Sequence, residues 1–232
     1  MKTLIKLTCL LPLILMVGCT PDYVKVDLYT SDLQDAFNGS IVEVPASMQF
    51  SGHLGDDADN SVKEVIQLSK KFLGSSAEYT RSEGQLGEEV IVVKVQIPMG
   101  TKKQLNSHLS QEINKNTPLA LLTDPTNRSI KLLTLDSLDS FNRQMLAINF
   151  MLQMEMIPNV MTYHIVSDEK AVYRVTGQCV FVNGKPYLQF EKNLKRRDSV
   201  SLDYSGQDGS IWKTKDLRPL VSVEKVSTKV KN

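Results

Sequence analysis

Side-chain chemistry needs convergent groups, and this chain offers few candidates. Its three histidines, His53, His108 and His164, stand in separate predicted elements, and no HExxH or CxxC spacing exists to gather metal ligands. His164 alternates with Tyr163 and Ile165 and reads as a half-exposed strand residue rather than a ligand. Asp56, Asp57, Asp59 and Asn60 crowd one loop. A calcium loop begun at Asp57 would need Gly at its sixth position and Glu at its twelfth, and it has neither. Helix capping accounts for these acids instead. There is no GxSxG elbow and no Gly-rich phosphate loop, so a nucleophile lacks its setting. Cys179 shares a predicted strand face with Val175, Gly177 and Phe181, which makes it a buried small hydrophobe. No catalytic residue, metal or cofactor is expected, and the chain is not expected to be an enzyme.

Methionine is the residue type that departs from routine. Met145, Met151, Met154, Met156 and Met161 cluster within one short stretch. Leu138, Phe141, Met145, Ile148, Leu152 and Met156 form one helical stripe, widened by Leu146, Phe150 and Met154. A helix apolar over so much of its circumference is either covered on both sides or binds something. Met145, Phe150, Met151 and Met154 are therefore the candidate apolar binding surface, since thioethers adapt to irregular guests. Three thioethers are also soft enough for Cu(I), but without a supporting His or Cys no metal is assigned. Packing as plain core is the remaining reading.

The amino terminus, MKTLIKLTCLLPLILMVGCT, places Lys2 and Lys6 before an apolar run from Leu10 to Val17 interrupted only by Pro12. That is the pattern of a secretory signal. Leu7 to Val17 makes about 16 Å of helix, whereas a bilayer core asks for about 30 Å. The run ends in Met16-Val17-Gly18-Cys19, which resembles the lipobox of bacterial lipoprotein precursors, with Met16 where that family prefers Leu. The resemblance implies cleavage between Gly18 and Cys19, lipidation of the Cys19 thiol by diacylglycerol and acylation of the new amine. Thr20 in place of the retention-type Asp implies the outer membrane, periplasmic face, in a Gram-negative host. In any other host it implies the outer face of the cytoplasmic membrane. Several acyl chains hold a protein at a membrane far more firmly than one. Thr20, Pro21 and Asp22 span at most about 10 Å, so the folded body is expected close to the bilayer. Cys9 leaves with the signal and Cys19 is consumed by lipid, so Cys179 has no partner for an internal disulfide.

The precursor has 232 residues with 27 Lys+Arg against 26 Asp+Glu, a formal charge of +1. Loss of Lys2 and Lys6 leaves the mature chain near −1, without the field that a nucleic-acid binder uses. Lys192, Lys195, Arg196 and Arg197 form a basic patch, and Lys225, Lys229 and Lys231 a basic tail. Both read as solvated strand ends or as contacts to anionic headgroups. Trp212, the single tryptophan, stands among Lys213, Lys215 and Arg218 as a marker of a contact surface.

Period-two alternation predicts strands at 23–29 and 42–50, with a short helix between them over 31–38 stopped by Gly39. A helix is expected over 61–73, capped by Ser61 with Glu64 and ended by Gly74. Strands are expected at 77–81, 88–98, 119–123 and 130–135, then a second helix at 137–156 and a strand meander over 160–226. Asn183-Gly184 marks a type I′ hairpin, because both turn positions need positive φ. The expected fold class is α+β, with largely antiparallel sheet, two main helices and two lobes. The expected division is a signal at 1–18, lipidated Cys and tether at 19–22, an N-terminal lobe at 23–100, a polar connection at 101–118, a C-terminal lobe at 119–226 and a basic tail at 227–232. The stretches 28–38 and 132–142 share Leu, Thr, Asp, Asp, Phe and Asn at equal spacing, which helix-start chemistry alone can produce.

The order of elements after Cys19, with SDLQDAFNG and IVEVPASMQF, is similar to uncharacterised lipoproteins of bacteria and their mobile elements, a likeness that implies no activity. The expected function is a non-enzymatic accessory protein of the cell envelope, membrane-anchored through lipid, with an envelope protein as partner and no nucleic acid. The alternative is a carrier or sensor of a small apolar ligand or lipid held beside the Met-rich helix.

Overall fold

A computed structural model describes residues 23–52, 58–74, 77–84, 87–111, 116–148, 160–205 and 221–226. The signal, Gly18, Cys19 and the tether lie outside these residues. The described chain runs β1(Tyr23–Tyr29), α1(Thr30–Phe37), β2(Val42–Gly52), α2(Ala58–Leu73), β3(Glu78–Glu83), β4(Glu89–Gly100), α3(Lys102–Leu109), β5(Leu119–Asp124), β6(Ser129–Thr134), α4(Ser137–Ile148), β7(Val160–Val166), β8(Tyr173–Val182), β9(Lys185–Leu194), β10(Ser199–Ser205) and β11(Val221–Lys225).

The strands do not divide into two lobes. They form one eleven-stranded sheet in the order β10-β7-β1-β2-β4-β5-β6-β11-β8-β9, and β8 also meets β10, which closes nine strands into a barrel. β3 and β9 lie outside the ring, on β4 and β8. The α+β expectation with two main helices is thereby corrected: the described residues form a β-barrel carrying four short helices. The reason is pairing across long sequence distance. β1 lies parallel to β7 along its whole length, Tyr23 opposite Val160 and Tyr29 opposite Val166, so strands from both expected lobes share one wall. Alternation says which face of a strand is buried but not which strand lies beside it.

Inward residues alternate with outward ones around the ring. Val24, Val26 and Leu28, then Val44, Ala46, Met48 and Phe50, then Ile91, Val93, Val95, Ile97 and Met99 are all buried in a single continuous core. α1 leaves β1 at Tyr29 and packs on β1, β2, β4 and β5, with Leu33, Ala36 and Phe37 buried. At the other end of β2, Phe50 meets Phe141 of α4, and Phe141 meets Phe72 of α2 edge-on at 5.3 Å between ring centres. Helices thus lie over both ends of the β1–β2 wall.

The local signals fare variably. Asn183 and Gly184 have φ of 51° and 72°, as the hairpin turn requires. α2 starts at Ala58, three residues before Ser61, so Ser61 does not cap it. The reciprocal capping arrangement stands instead at α3, where the Thr101 N–H donates to Gln104 Oε1 at 3.0 Å. α1 is capped from a distant part of the chain. Thr30 Oγ1 and the Ser31 N–H donate to Asp168 Oδ1 at 2.8 and 3.0 Å, and Ser31 Oγ donates to Oδ2 at 2.5 Å. The second helix is described to Ile148, and 149–156 of its expected span lie outside the described residues.

Inside the barrel Tyr163 of β7 reaches across to β6, where its hydroxyl accepts the Leu132 N–H at 3.0 Å. Among the described residues β11 pairs with β6 at Ile130 and Ser129, and the Leu132 N–H lies beyond those two positions. Tyr204 of β10 packs edge-on against Tyr163 with ring centres 5.9 Å apart. Burial pushes both phenols well above their ordinary ionisation range.

Candidate functional site

Among the described residues the circuit of strands is shut by one pair, Asp203 of β10 opposite Phe181 of β8. β7 pairs with β10 from Ser199 to Ser205, whereas among the described residues β8 pairs with its other edge at Asp203 alone. Just before this contact Cys179 adopts φ of 52°. The inward set of β8 changes phase at that residue, from Tyr173, Val175 and Gly177 to Val180 and Val182. Cys179 is therefore exposed, not buried as its sequence phase implies. The β8–β9 hairpin leaves β10 beyond this point, and a groove of about 390 Å³ opens between them.

Val182, Tyr187, Phe190 and Val200 give the groove its apolar lining, and Lys185, Lys192, Ser199 and Ser201 its polar one. Tyr187 and Phe190 contact edge to face, with ring centres 5.5 Å apart at 69°. Lys192 Nζ donates to the Ser199 main-chain carbonyl at 3.0 Å. Outside the groove, Leu188 is 84% and Phe181 39% exposed, and within it Tyr187 is 39% exposed. Lys195, Arg196 and Arg197 follow in the exposed turn between β9 and β10. That turn is held by Ser167, whose carbonyl accepts the Arg197 N–H at 2.6 Å.

The nearest approach to a catalytic relay crosses three neighbouring strands. His164 Nδ1 and Ser201 Oγ are 2.9 Å apart, and Asp27 stands opposite His164 on β1. Asp27, however, pairs with Lys25 at 3.0 Å, and no hydrogen bond joins it to His164 among the described residues. Ser201 sits in the middle of β10, not at the strand-to-helix turn that exposes a nucleophilic serine. Polar pairs of this kind are ordinary on the outer face of a sheet, and Thr162 with Asp203 at 2.8 Å is another. Ser-x-x-Lys spacing occurs at Ser167–Lys170 and Ser222–Lys225, in a turn and a strand, where the two side chains do not share a helical face, and at Ser210–Lys213, which lies outside the described residues.

The other candidates separate. His108 of α3 pairs with Glu43 of β2 at 3.3 Å. Burial pushes the Glu43 carboxyl up, against the pull of His108. Asp59 pairs with Arg81 of β3, which also grips Glu89 through two nitrogens at 2.7 Å. Asp59 and Glu89 are held below the usual carboxylate range by hydrogen bonds from that guanidinium. Among the described residues no three His, Cys, Asp or Glu side chains gather into a metal site. Met145 is wholly buried in the core and lines no surface. Phe150, Met151, Met154, His53, Asp56, Asp57 and Trp212 lie outside the described residues, as do Lys229 and Lys231.

Sequence reasoning found the basic patch but missed the groove beside it. A signal was present. Tyr187, Leu188 and Phe190 break strict alternation in a short strand, so both faces of β9 carry large apolar groups. Comparison with protein-family models, curated proteins and solved structures finds no match. Among the described residues no helix is long and apolar enough to cross a membrane.

Proposed function

We propose that this protein is a non-enzymatic bacterial lipoprotein, anchored through Cys19, that binds another protein of the cell envelope through the β8–β9–β10 face. In a Gram-negative host it sits on the periplasmic face of the outer membrane. The observation that carries the binding reading is the exposed apolar group Phe181, Tyr187 and Leu188 beside a cationic groove. A strand that exposes large apolar residues on an unpaired edge is an aggregation hazard unless something covers it. Position supports the same reading. Ser199 and Ser201 are level with Tyr29 and Asp27 through β7, four to six residues along β1 from Tyr23. At about 3.3 Å per residue that is roughly 13–20 Å from the strand end nearest the tether. The basic turn shares this remote end, so it faces the aqueous compartment better than it faces headgroups. The apolar-carrier alternative draws no support from Met145, which is packed core.

The test is photo-cross-linking in native envelopes, with a photoreactive residue placed at Leu188 and, as control, at the exposed Glu78 of β3 on a different wall. A discrete protein adduct is expected from position 188 alone, and it should disappear with membrane association when Cys19→Ser is introduced. Equal labelling from both positions, or none from either, overturns the proposal.

A further inference from the structure

The chemistry of the groove identifies what kind of segment it takes, and this rests on the binding function just proposed. β10 uses one edge fully against β7, and among the described residues its other edge is paired only at Asp203, with Phe181. The Ser199 carbonyl points away from β7, because it is taken by Lys192 Nζ at 3.0 Å. In an antiparallel strand the N–H and C=O of one residue point to the same side, and residues two apart share that side. Ser201 therefore directs its main-chain groups toward the groove as well. A lysine ammonium is standing where a neighbouring strand would place a backbone donor.

We infer that an extended, acidic and apolar segment of the partner protein adds as a strand to this edge of β10, between β10 and the inner face of β9. Backbone hydrogen bonds would supply affinity and side-chain subsites specificity, as in other strand-addition interfaces. The Tyr187–Phe190 pair offers the apolar subsite. Lys185 and Lys192 stand seven residues apart on β9, roughly 23 Å in an extended strand, and both border the groove. Incoming carboxylates at either end of a short apolar stretch meet these ammonium groups. The strand itself displaces Lys192 from Ser199 and frees it for one of them.

A second copy of this chain presenting its own β9 does not fit. The antiparallel register that sets Tyr187 opposite Phe190 of another β9 also sets Lys185 opposite Lys192 twice over, with repulsion at both ends. An anionic lipid surface is disfavoured by the distance of the groove from the tethered end.

The experiment is selection from a displayed library of random ten-residue peptides on the purified mature lipoprotein in detergent. The same selection is run on Lys185→Glu/Lys192→Glu, with circular dichroism melts to confirm that both fold alike. Both lysines are exposed, so the melts should coincide. Expected are peptides with acidic residues flanking alternating apolar ones, binding at least tenfold more weakly to the double variant. N-methylation of alternate peptide nitrogens should cause a loss of similar size. Enrichment of basic peptides overturns the inference, as does binding indifferent to N-methylation or no enrichment at all. Lysine-dependent binding to phosphatidylglycerol vesicles without peptide selection also overturns it, in favour of lipid. A protein cross-link from position 188 alongside any of these results leaves the binding function standing and removes only the strand-addition mode.

Discussion

Tyr163 shows how one hydroxyl can matter to a whole wall. It is buried within the barrel and satisfies the Leu132 N–H, which no described residue of β11 pairs. Tyr163→Phe keeps the ring contact with Tyr204 but leaves that N–H buried without a partner, at a cost of about 1–3 kcal/mol. Urea denaturation should show a lower midpoint with an unchanged slope. An unaltered midpoint would mean that the N–H finds another acceptor. Cys179 marks the opposite case, where residue identity conceals the conformation. Nothing in its neighbours announces positive φ, and cysteine is not among the residues enriched there. Alternation carried straight through it therefore placed Cys179 and Phe181 inside, where the structure holds Val180 and Val182.

Helix α1 depends on a carboxylate contributed by the connection between β7 and β8. Partial burial pushes the Asp168 carboxyl up, but hydrogen bonds from Ser31 and Thr30 outweigh this and hold it below the ordinary aspartate value. Its folded value is thus depressed, so the stability it contributes is complete above the unfolded value of about 3.9 and is lost as pH falls through the folded one. Asp32 acts in the other sense, raised by burial and by Asp168 itself. Asp168→Ala should cost about 0.5–2 kcal/mol at neutral pH, as loss of a helix cap does. Thermal melts of both proteins from about pH 6 down to about pH 3 should converge; a constant gap would show that the carboxylate charge is not what caps α1. At this scale much was legible in the sequence. The two-residue periods of 23–29 and 160–166 give β1 and β7, and Asn183-Gly184 gives the hairpin, because these signals are local. The Asp168 cap was not legible, since it joins residues 137 and 138 positions apart.

The closed ring is the property that no local signal carries. β1 beside β7 and β4 beside β5 are parallel contacts between strands separated by intervening elements, and each could have been drawn as an edge. The groove inherits this, since it opens where β8 departs from β10, the two sharing one paired position among the described residues. Such a hoop is fastened at its weakest rung, and thermal breathing should begin there. Hydrogen exchange followed by mass spectrometry is expected to label amides of 199–203 before those in the middle of β2 and β4. Uniform protection around the circumference would refute this. Each brief parting of that rung lengthens the stretch of free backbone next to the lysines, so the molecule's most fragile joint is also the doorway through which an incoming chain would be zipped in.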